Sequence, residues 1–273
     1  MENQPNATLA SIVSETEIGD AARALAGASA QEVLAWAIHR FGRELAICSS
    51  FQVEGCVLID MAAKIDPNIR VFTIDTGRLP GETYDLIDRI REHYGIPVEI
   101  YLPDTDVVQR MVTKHGLNLF YRDLDLRLLC CQVRKVLPLN RALENFSAWV
   151  TGLRRDQSST RSNLDKVAID NDHGGMVKLS PLADWTEQRV WDYIRTSDVP
   201  YNALYEKGYT SIGCAPCTRP VEAGQDARAG RWWWETDAPK ECGMHCSIES
   251  GNFERELARL TRDRAALGGS PNA

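Results

Sequence analysis

Eight cysteines, at positions 48, 56, 130, 131, 214, 217, 242 and 246, are the side chains of this sequence best able to do chemistry. Two are adjacent, Cys130-Cys131, and two close the spacing Cys214-Ala-Pro-Cys217. A Cys-x-x-Cys sets two thiolates on one tight turn, a common half of a metal site. Around a single zinc ion the sulfurs sit only ~3.7 Å apart, yet neighbouring residues point their side chains away from each other. The adjacent pair therefore suits a larger cluster in which each thiolate takes a different iron. The four are read as ligands of a [4Fe–4S] cluster, with a zinc site of four cysteines or four buried thiols as the alternatives that spacing leaves open. Cys48 in an apolar strand and Cys56 on an apolar helix face read as inert core. Cys242 stands beside a glycine, with Lys240 and His245 near enough to favour its thiolate, which makes it a candidate nucleophile. Cys242 and Cys246 as extra ligands or a redox pair is the competing reading.

Positive charge gathers near the double cysteine. From Arg122 to Arg161 there are eight basic residues, Arg122, Arg127, Arg134, Lys135, Arg141, Arg154, Arg155 and Arg161, against four acidic ones, in a chain whose net charge is −7. Such a segment at strand ends points to an anion pocket, since the planar guanidinium grips phosphate or sulfate with two hydrogen bonds. Arg134 and Lys135, one helical turn past Cys131, are read as functional, while Arg122, Arg127 and Arg141 are read as solvated helix faces. Ser49-Ser50-Phe51-Gln52-Val53-Glu54-Gly55, between a strand and a helix, offers backbone N–H groups and hydroxyls to a phosphate, without the Gly-Lys-Ser of a Walker loop. A capped helix start with no ligand is the plainer alternative. His39, His93, His115 and His173 show no partner spacing and read as structural or solvated.

The acidic total, with a pI near 5.4, argues against a nucleic-acid partner. No run of 18 apolar residues occurs, so no membrane span is expected. Met1 to Glu17 has neither the charged start nor the apolar stretch of a signal peptide, and the expectation is a soluble cytoplasmic protein with reduced thiols.

The elements that must position these residues follow from periodicity. Strands are predicted at 45–48, 70–74, 97–102 and 148–151. Helices are predicted from a Ser29/Glu32 capping box to Phe41 and at 54–64, 80–94, 104–114, 126–145, 186–196 and 252–267. Residues 1–19 read as a loose leader, 171–175 as a turn, and the pattern loosens after Thr160. The alternation indicates an α/β fold with a doubly wound, mostly parallel sheet, whose ligands bind beyond the carboxyl ends of the strands. The expected organisation is an N-terminal helical leader (1–43), an α/β domain holding the cluster (44–230), and a mobile C-terminal tail (231–273) with the nucleophilic cysteine.

Five separated motifs then carry a resemblance. They are the two cysteine pairs, Ile74-Asp75-Thr76-Gly77-Arg78-Leu79, Thr151-Gly152-Leu153-Arg154-Arg155, Gly230-Arg231-Trp232-Trp233-Trp234-Glu235 and Lys240-Glu241-Cys242-Gly243-Met244-His245. Together they resemble the thioredoxin-dependent assimilatory adenylyl-sulfate (APS) reductases of the APS/PAPS reductase family. The likeness runs from about Glu44 to His245. It implies the adenine-nucleotide α-hydrolase-like (PP-loop) fold and reduction of APS to sulfite and AMP in sulfate assimilation. The implied route is an S-sulfocysteine on Cys242, released by thioredoxin.

The resemblance also implies a [4Fe–4S] cluster on Cys130, Cys131, Cys214 and Cys217 that positions Lys135 rather than shuttling electrons. Catalytic roles would fall to Cys242, Lys135 and His245. Substrate contacts would come from Ser49, Ser50, Phe51, Glu54, Gly55, Asp75, Thr76, Gly77, Arg78, Arg134, Lys135, Gly152, Arg154, Arg155, Arg161, Arg228 and Arg231. The loop at 49–55 lacks the Gly-Gly-Lys-Asp core of ATP pyrophosphatases, which counts against an adenylating enzyme. A non-catalytic iron–sulfur carrier would need neither Cys242 nor the arginines. The nearest rival is the same chemistry on PAPS, alone or together with APS. Assembly as a homo-oligomer is compatible with all of these.

Overall fold

The computed structural model describes residues 14–157, 161–235 and 253–267. Ser14 caps α1 (Glu15–Leu25) through its side chain, and Ser29 with Glu32 forms the capping box of α2 (Ala30–Phe41). The chain continues as β1 (Leu45–Cys48), α3 (Val53–Ile65), β2 (Arg70–Ile74), α4 (Gly81–Tyr94), β3 (Val98–Tyr101) and α5 (Thr105–His115). Next come α6 (Leu124–Cys131), α7 (Leu137–Leu143), β4 (Ala148–Val150), β5 (Val167–Asp170), β6 (Met176–Leu179), α8 (Glu187–Ser197) and α9 (Phe253–Leu267).

The six strands form one sheet in the order β3-β2-β1-β4-β6-β5. β1 runs parallel to both β2 and β4, β4 runs parallel to β6, and β5 is antiparallel to β6. All four residues of β1 and all three of β4 are buried, as expected where helices cover both faces. The chain goes out from β1 through β2 to β3 and returns to β4 on the other side of β1. The order therefore reverses between β1 and β4, and in such sheets the crevice beyond that pair of carboxyl ends is where ligands bind. The fold is the doubly wound, mostly parallel α/β fold.

Three features depart from the sequence-based expectation. Part of the leader is α1, whose capped first turn begins at Ser14. The turn at 171–175 joins a real hairpin, β5 to β6, whose strands are four residues each and only half buried, too short for an alternation to register. The helix expected at 126–145 breaks into α6, a π turn at Gln132–Val136 and α7. Pro138 explains the break: it has no N–H for the carbonyl four residues back, and Leu137 N–H instead reaches Gln132 O.

The chain divides into two compact units. The first comprises Met1–Thr73, Asp85–Glu99 and Leu143–Asn202, and the second Ile74–Tyr84, Ile100–Ala142 and Ala203–Ala273. In the first, the β4-β6-β5 side of the sheet holds a buried polar knot. The carboxylate of Asp170 accepts from Trp149 Nε1 at 3.0 Å, lies 2.9 Å from His173 Nδ1 and 3.6 Å from Lys178 Nζ. Lys178 also stands 5.1 Å over the Trp149 ring. Burial alone would raise the Asp170 pKa, but the hydrogen bond from His173 and the charge of Lys178 outweigh it and hold the carboxyl below 3.8.

Because the folded pKa is depressed, this contribution is present above pH ~3.8 and is lost as pH falls through the lower folded value. Asp170→Asn should lower stability by about 1–3 kcal/mol at neutral pH. It should also flatten the acid limb of a stability-versus-pH curve from urea unfolding. An unchanged acid limb would remove Asp170 from the knot.

Candidate active site

In the first unit the loops after β1 and β4 meet. Ser49 Oγ accepts from Phe51 N–H at 3.0 Å, and Phe51, fully buried, is held at φ +56°, a left-handed conformation that costs a non-glycine residue energy. Gly55, in the first turn of α3, has no room for a Cβ because Ser49 Oγ occupies the space. A Cβ on Gly152 would come within 2.9 Å of Glu54 Cβ. The two glycines thus let the β1 and β4 loops close on the start of α3.

The arginines beside this junction are braced. Arg154 Nε reaches Glu54 Oε1 at 2.9 Å, while its Nη1 donates to Asp156 and to Trp185 O. Gln157 Nε2 donates to the same Glu54 oxygen at 3.0 Å, and Arg161 Nη1 donates to Gln157 Oε1 at 2.6 Å. The exposed Arg155 turns outward, its Nε donating to Leu164 O. Glu54 is buried in the first turn of α3, where a carboxylate opposes an incoming anion, and Arg154 neutralises it. The brace thereby offsets the negative charge of Glu54 beside the loop.

In the second unit all four candidate ligand cysteines are buried around one cavity, which Arg78, Phe120, Arg127, Arg134 and Lys135 also line. Cys130 and Cys131 end α6, and the π turn brings Arg134 and Lys135 in directly behind them. Cys214 caps a 3-10 turn ending at Cys217, fastened by Ala215 N–H to Arg78 O at 2.8 Å and by Thr218 Oγ1 to Cys214 O at 3.0 Å. Thr76 Oγ1 lies 3.3 Å from Cys214 Sγ, and Arg134 Nη1 donates to Thr76 O at 2.7 Å. Asp75 Oδ1 accepts from Gly77 N–H and from Tyr84 OH, both at 2.8 Å, which shapes the loop after β2. Arg78 donates to Leu117 O and lies 5.2 Å from the Phe120 ring centroid. Arg231 is buried and donates to Ser211 Oγ at 3.4 Å, and Arg228 N–H donates to Asp226.

Burial raises the thiol pKa of Cys130, with a further rise from Cys214 that Arg134, Arg78 and Lys135 oppose. Burial likewise pushes Cys217 to about 12, against the pull of Lys135 and Arg231. Among the described residues no three His, Cys, Asp or Glu side chains converge tightly enough for one metal ion. Among the described residues the buried Arg134 Nε, Arg231 Nε and Trp232 Nε1 have no hydrogen-bond partner, and cluster sulfur or a substrate anion would accept from them. The four cysteines, with their surrounding cations, fit an iron–sulfur cluster.

Residues 44–220 match the family model described as "Phosphoadenosine phosphosulfate reductase domain". The chain is 50% identical over 197 residues to an adenosine 5′-phosphosulfate reductase of Burkholderia cepacia, covering 72% of this chain and 78% of that one. The chain belongs to the APS/PAPS reductase family. A second member, the adenosine 5′-phosphosulfate reductase of Allochromatium vinosum, is 47% identical over 222 residues, 81% of this chain and 86% of its own. A crystal structure of a phosphoadenylyl-sulfate (PAPS) reductase from Candida auris, as a phosphate complex, superposes with a TM-score of 0.65 at 30% identity. It covers 76% of this chain and 98% of that one. A yeast FAD synthetase, 15% identical with a TM-score of 0.51, shares the fold alone. Members of the APS/PAPS reductase family are oxidoreductases, and this chain is one.

Within that family frame, the nucleophile candidate Cys242 and its neighbours His245 and Cys246 lie outside the described residues. Cys48 and Cys56 are buried core, and desolvation pushes the Cys56 thiol to about 12, as inert thiols should be. Arg127 corrects the sequence reading. Far from being solvated, its side chain is 1% exposed, its guanidinium meets both carboxylate oxygens of Glu235 at 3.0 Å and it lies 4.6 Å from the Trp232 ring centroid. The available signal was spacing: Arg127 is three and four residues before Cys130 and Cys131, so it shares their buried helix face.

Breaking this buried pair from one side should be costly. Glu235→Gln or Arg127→Ala should each destabilise the chain by about 3–5 kcal/mol, because a buried charge is left without its partner. The double replacement Arg127→Met/Glu235→Leu should recover much of the loss. Equilibrium urea unfolding measures both, and additive losses in the double variant would contradict the pairing.

Proposed function

We propose that the chain reduces adenosine 5′-phosphosulfate to sulfite and AMP, with thioredoxin as reductant and Cys242 as the nucleophile, in assimilatory sulfate reduction. The observation that carries the reading is the buried gathering of Cys130, Cys131, Cys214 and Cys217 with Arg134 and Lys135 in the second unit. We assign those four cysteines as ligands of a [4Fe–4S] cluster. When bound, it supplies a fixed charge centre that anchors the π turn and tunes the field felt by Lys135.

The protein's own groups then act in two steps. The Cys242 thiolate attacks the sulfate sulfur; an S–S bond forms, the bridging S–O bond breaks, and AMP leaves with the electron pair. Arg134, Lys135, Arg228 and Arg231 in the second unit are assigned to the anionic charge on the sulfate side. The Ser49–Gly55 turn of the first unit, with Gly152 and Arg161, is assigned to phosphate, and Arg154 to holding Glu54 clear of it. His245, three residues from Cys242, is assigned to favouring the thiolate. A thioredoxin thiolate next attacks Cys242 Sγ, sulfite leaves with the electrons of the S–S bond, and the second thioredoxin thiol frees Cys242. Sulfur(VI) has become sulfur(IV) and one dithiol has become a disulfide, so the electrons balance. Reduced thiols of this kind belong in the cytoplasm. Among the described residues no helix is long and apolar enough to cross a membrane.

Incubation with APS in the absence of thioredoxin should add one sulfonate mass to the peptide containing Cys242. Cys242→Ser should abolish the adduct, and Cys246→Ser should retain it. An adduct lost in Cys246→Ser would reverse the two roles.

The choice between APS and PAPS turns on the 3′-phosphate. We assign the loop after β2 to the ribose end; there Asp75 is an acidic neighbour, and the Arg78 guanidinium is already engaged by Leu117 O and Asn118. An uncompensated phosphate there costs several kcal/mol, so kcat/KM should favour APS by at least about 100-fold, roughly 2.7 kcal/mol. Sulfite release from each nucleotide with reduced thioredoxin measures it. Equal rates would make the chain a dual-specificity reductase, and no sulfite from either would end the proposal.

A further inference from the structure

Helix α9 lies beyond the residues that the family model matches, and it is not a free appendage. It packs on α5 and α6 within the second unit. Its apolar stripe is Phe253, Leu257 and Leu260, spaced i, i+4, i+7 along one face. Phe253 and Leu260 are 8% and 5% exposed and belong to the same apolar cluster as Cys130, Cys131, Cys214 and Cys217, with Leu257 packed against it. Polar contacts fasten the helix from α5. Lys114 Nζ lies 2.7 and 2.9 Å from the two carboxylate oxygens of Glu256, His115 Nε2 lies 2.9 Å from one of them, and Arg110 Nε donates to Leu260 O at 3.0 Å.

We propose that α9 is the outer wall of the cysteine compartment, docked to keep water and small oxidants away from the four thiols. A lone 15-residue helix is marginal in water, so α9 depends on this apolar seat, and the seat depends on α9 for cover. The physical link between docking and protection is local opening. A segment held by few apolar contacts opens more often than the chain unfolds, and reagents reach buried thiols through that opening. Thinning the stripe should therefore raise thiol reactivity at these four cysteines without touching the first unit.

The inference uses the cluster reading only to name what the wall protects, and the test separates the two. Metal-free full-length chain, kept reduced, is treated with iodoacetamide, and alkylation is followed by peptide mass mapping. Phe253→Ser and Leu260→Ser should speed alkylation of Cys130, Cys131, Cys214 and Cys217 by at least about tenfold, since opening grows exponentially with lost packing. Glu256→Gln, which leaves the apolar stripe intact and loosens only the fastening, should give a smaller rise of about threefold. Arg255→Ala, on the exposed face of α9, should change nothing. Cys56, buried in the first unit, serves as the internal control and should keep its wild-type rate. Unchanged rates at the four cysteines, or an equal rise at Cys56, would overturn the wall. In the iron-loaded chain the same Ser variants should bleach faster with ferricyanide. A wild-type preparation without iron would sink the cluster reading, while the alkylation arm would still decide the wall.

Discussion

Four thiols removed from water in one small compartment form the constraint on which the second unit depends. Burial favours neutral thiols, as the raised pKa values of Cys130 and Cys217 show, whereas ligand chemistry needs thiolates. The cations that oppose burial are brought in by local structure rather than by distant steering. The π turn behind Cys131 places Arg134 and Lys135 at the cavity, and the stretch after Cys217 brings Arg231 near enough to pull on the Cys217 thiol. The Arg127–Glu235 pair fixes the end of that stretch from beneath. A chain with a net charge of −7 has thus concentrated positive charge around four buried thiols.

The first unit solves a related problem with different means. The loop after β1 has no lysine of its own and leads into a buried carboxylate, Glu54, in the first turn of α3. Left alone, that carboxylate would repel an anion at a helix start. Arg154 and Gln157 bind it, and Gly55 and Gly152 allow the two loops to close to van der Waals distance. Arg161 joins the same network through the neutral Gln157 and so adds positive charge beside the loop. The division of labour between Arg154 and Arg161 is a matter of partners, not of residue type.

Which parts of this were legible in the sequence follows from how local the cause is. Leu45–Cys48 and Arg70–Ile74 read correctly as strands because short apolar runs bounded by polar turns need no further context. β5 and β6 did not, since four half-buried residues carrying Asp170 and Lys178 look like loop until their edge pairing is known. The π turn was hidden because Pro138 signals a break but not its form. Arg127 was misread because a charged residue argues for solvent, and its burial depends on a carboxylate 108 residues later. The cysteine pairs were legible as a set because their chemistry restricts them more than their surroundings do.

The most direct test of the account is the iron, sulfide and zinc content of anaerobically purified protein, joined to a Mössbauer spectrum of the iron-57 form. The account predicts about four irons and four sulfides per chain, no stoichiometric zinc, and a single [4Fe–4S] species. It also predicts that serine at Cys217 removes the iron. One zinc per chain with no sulfide, or iron retained in full after that substitution, would contradict it.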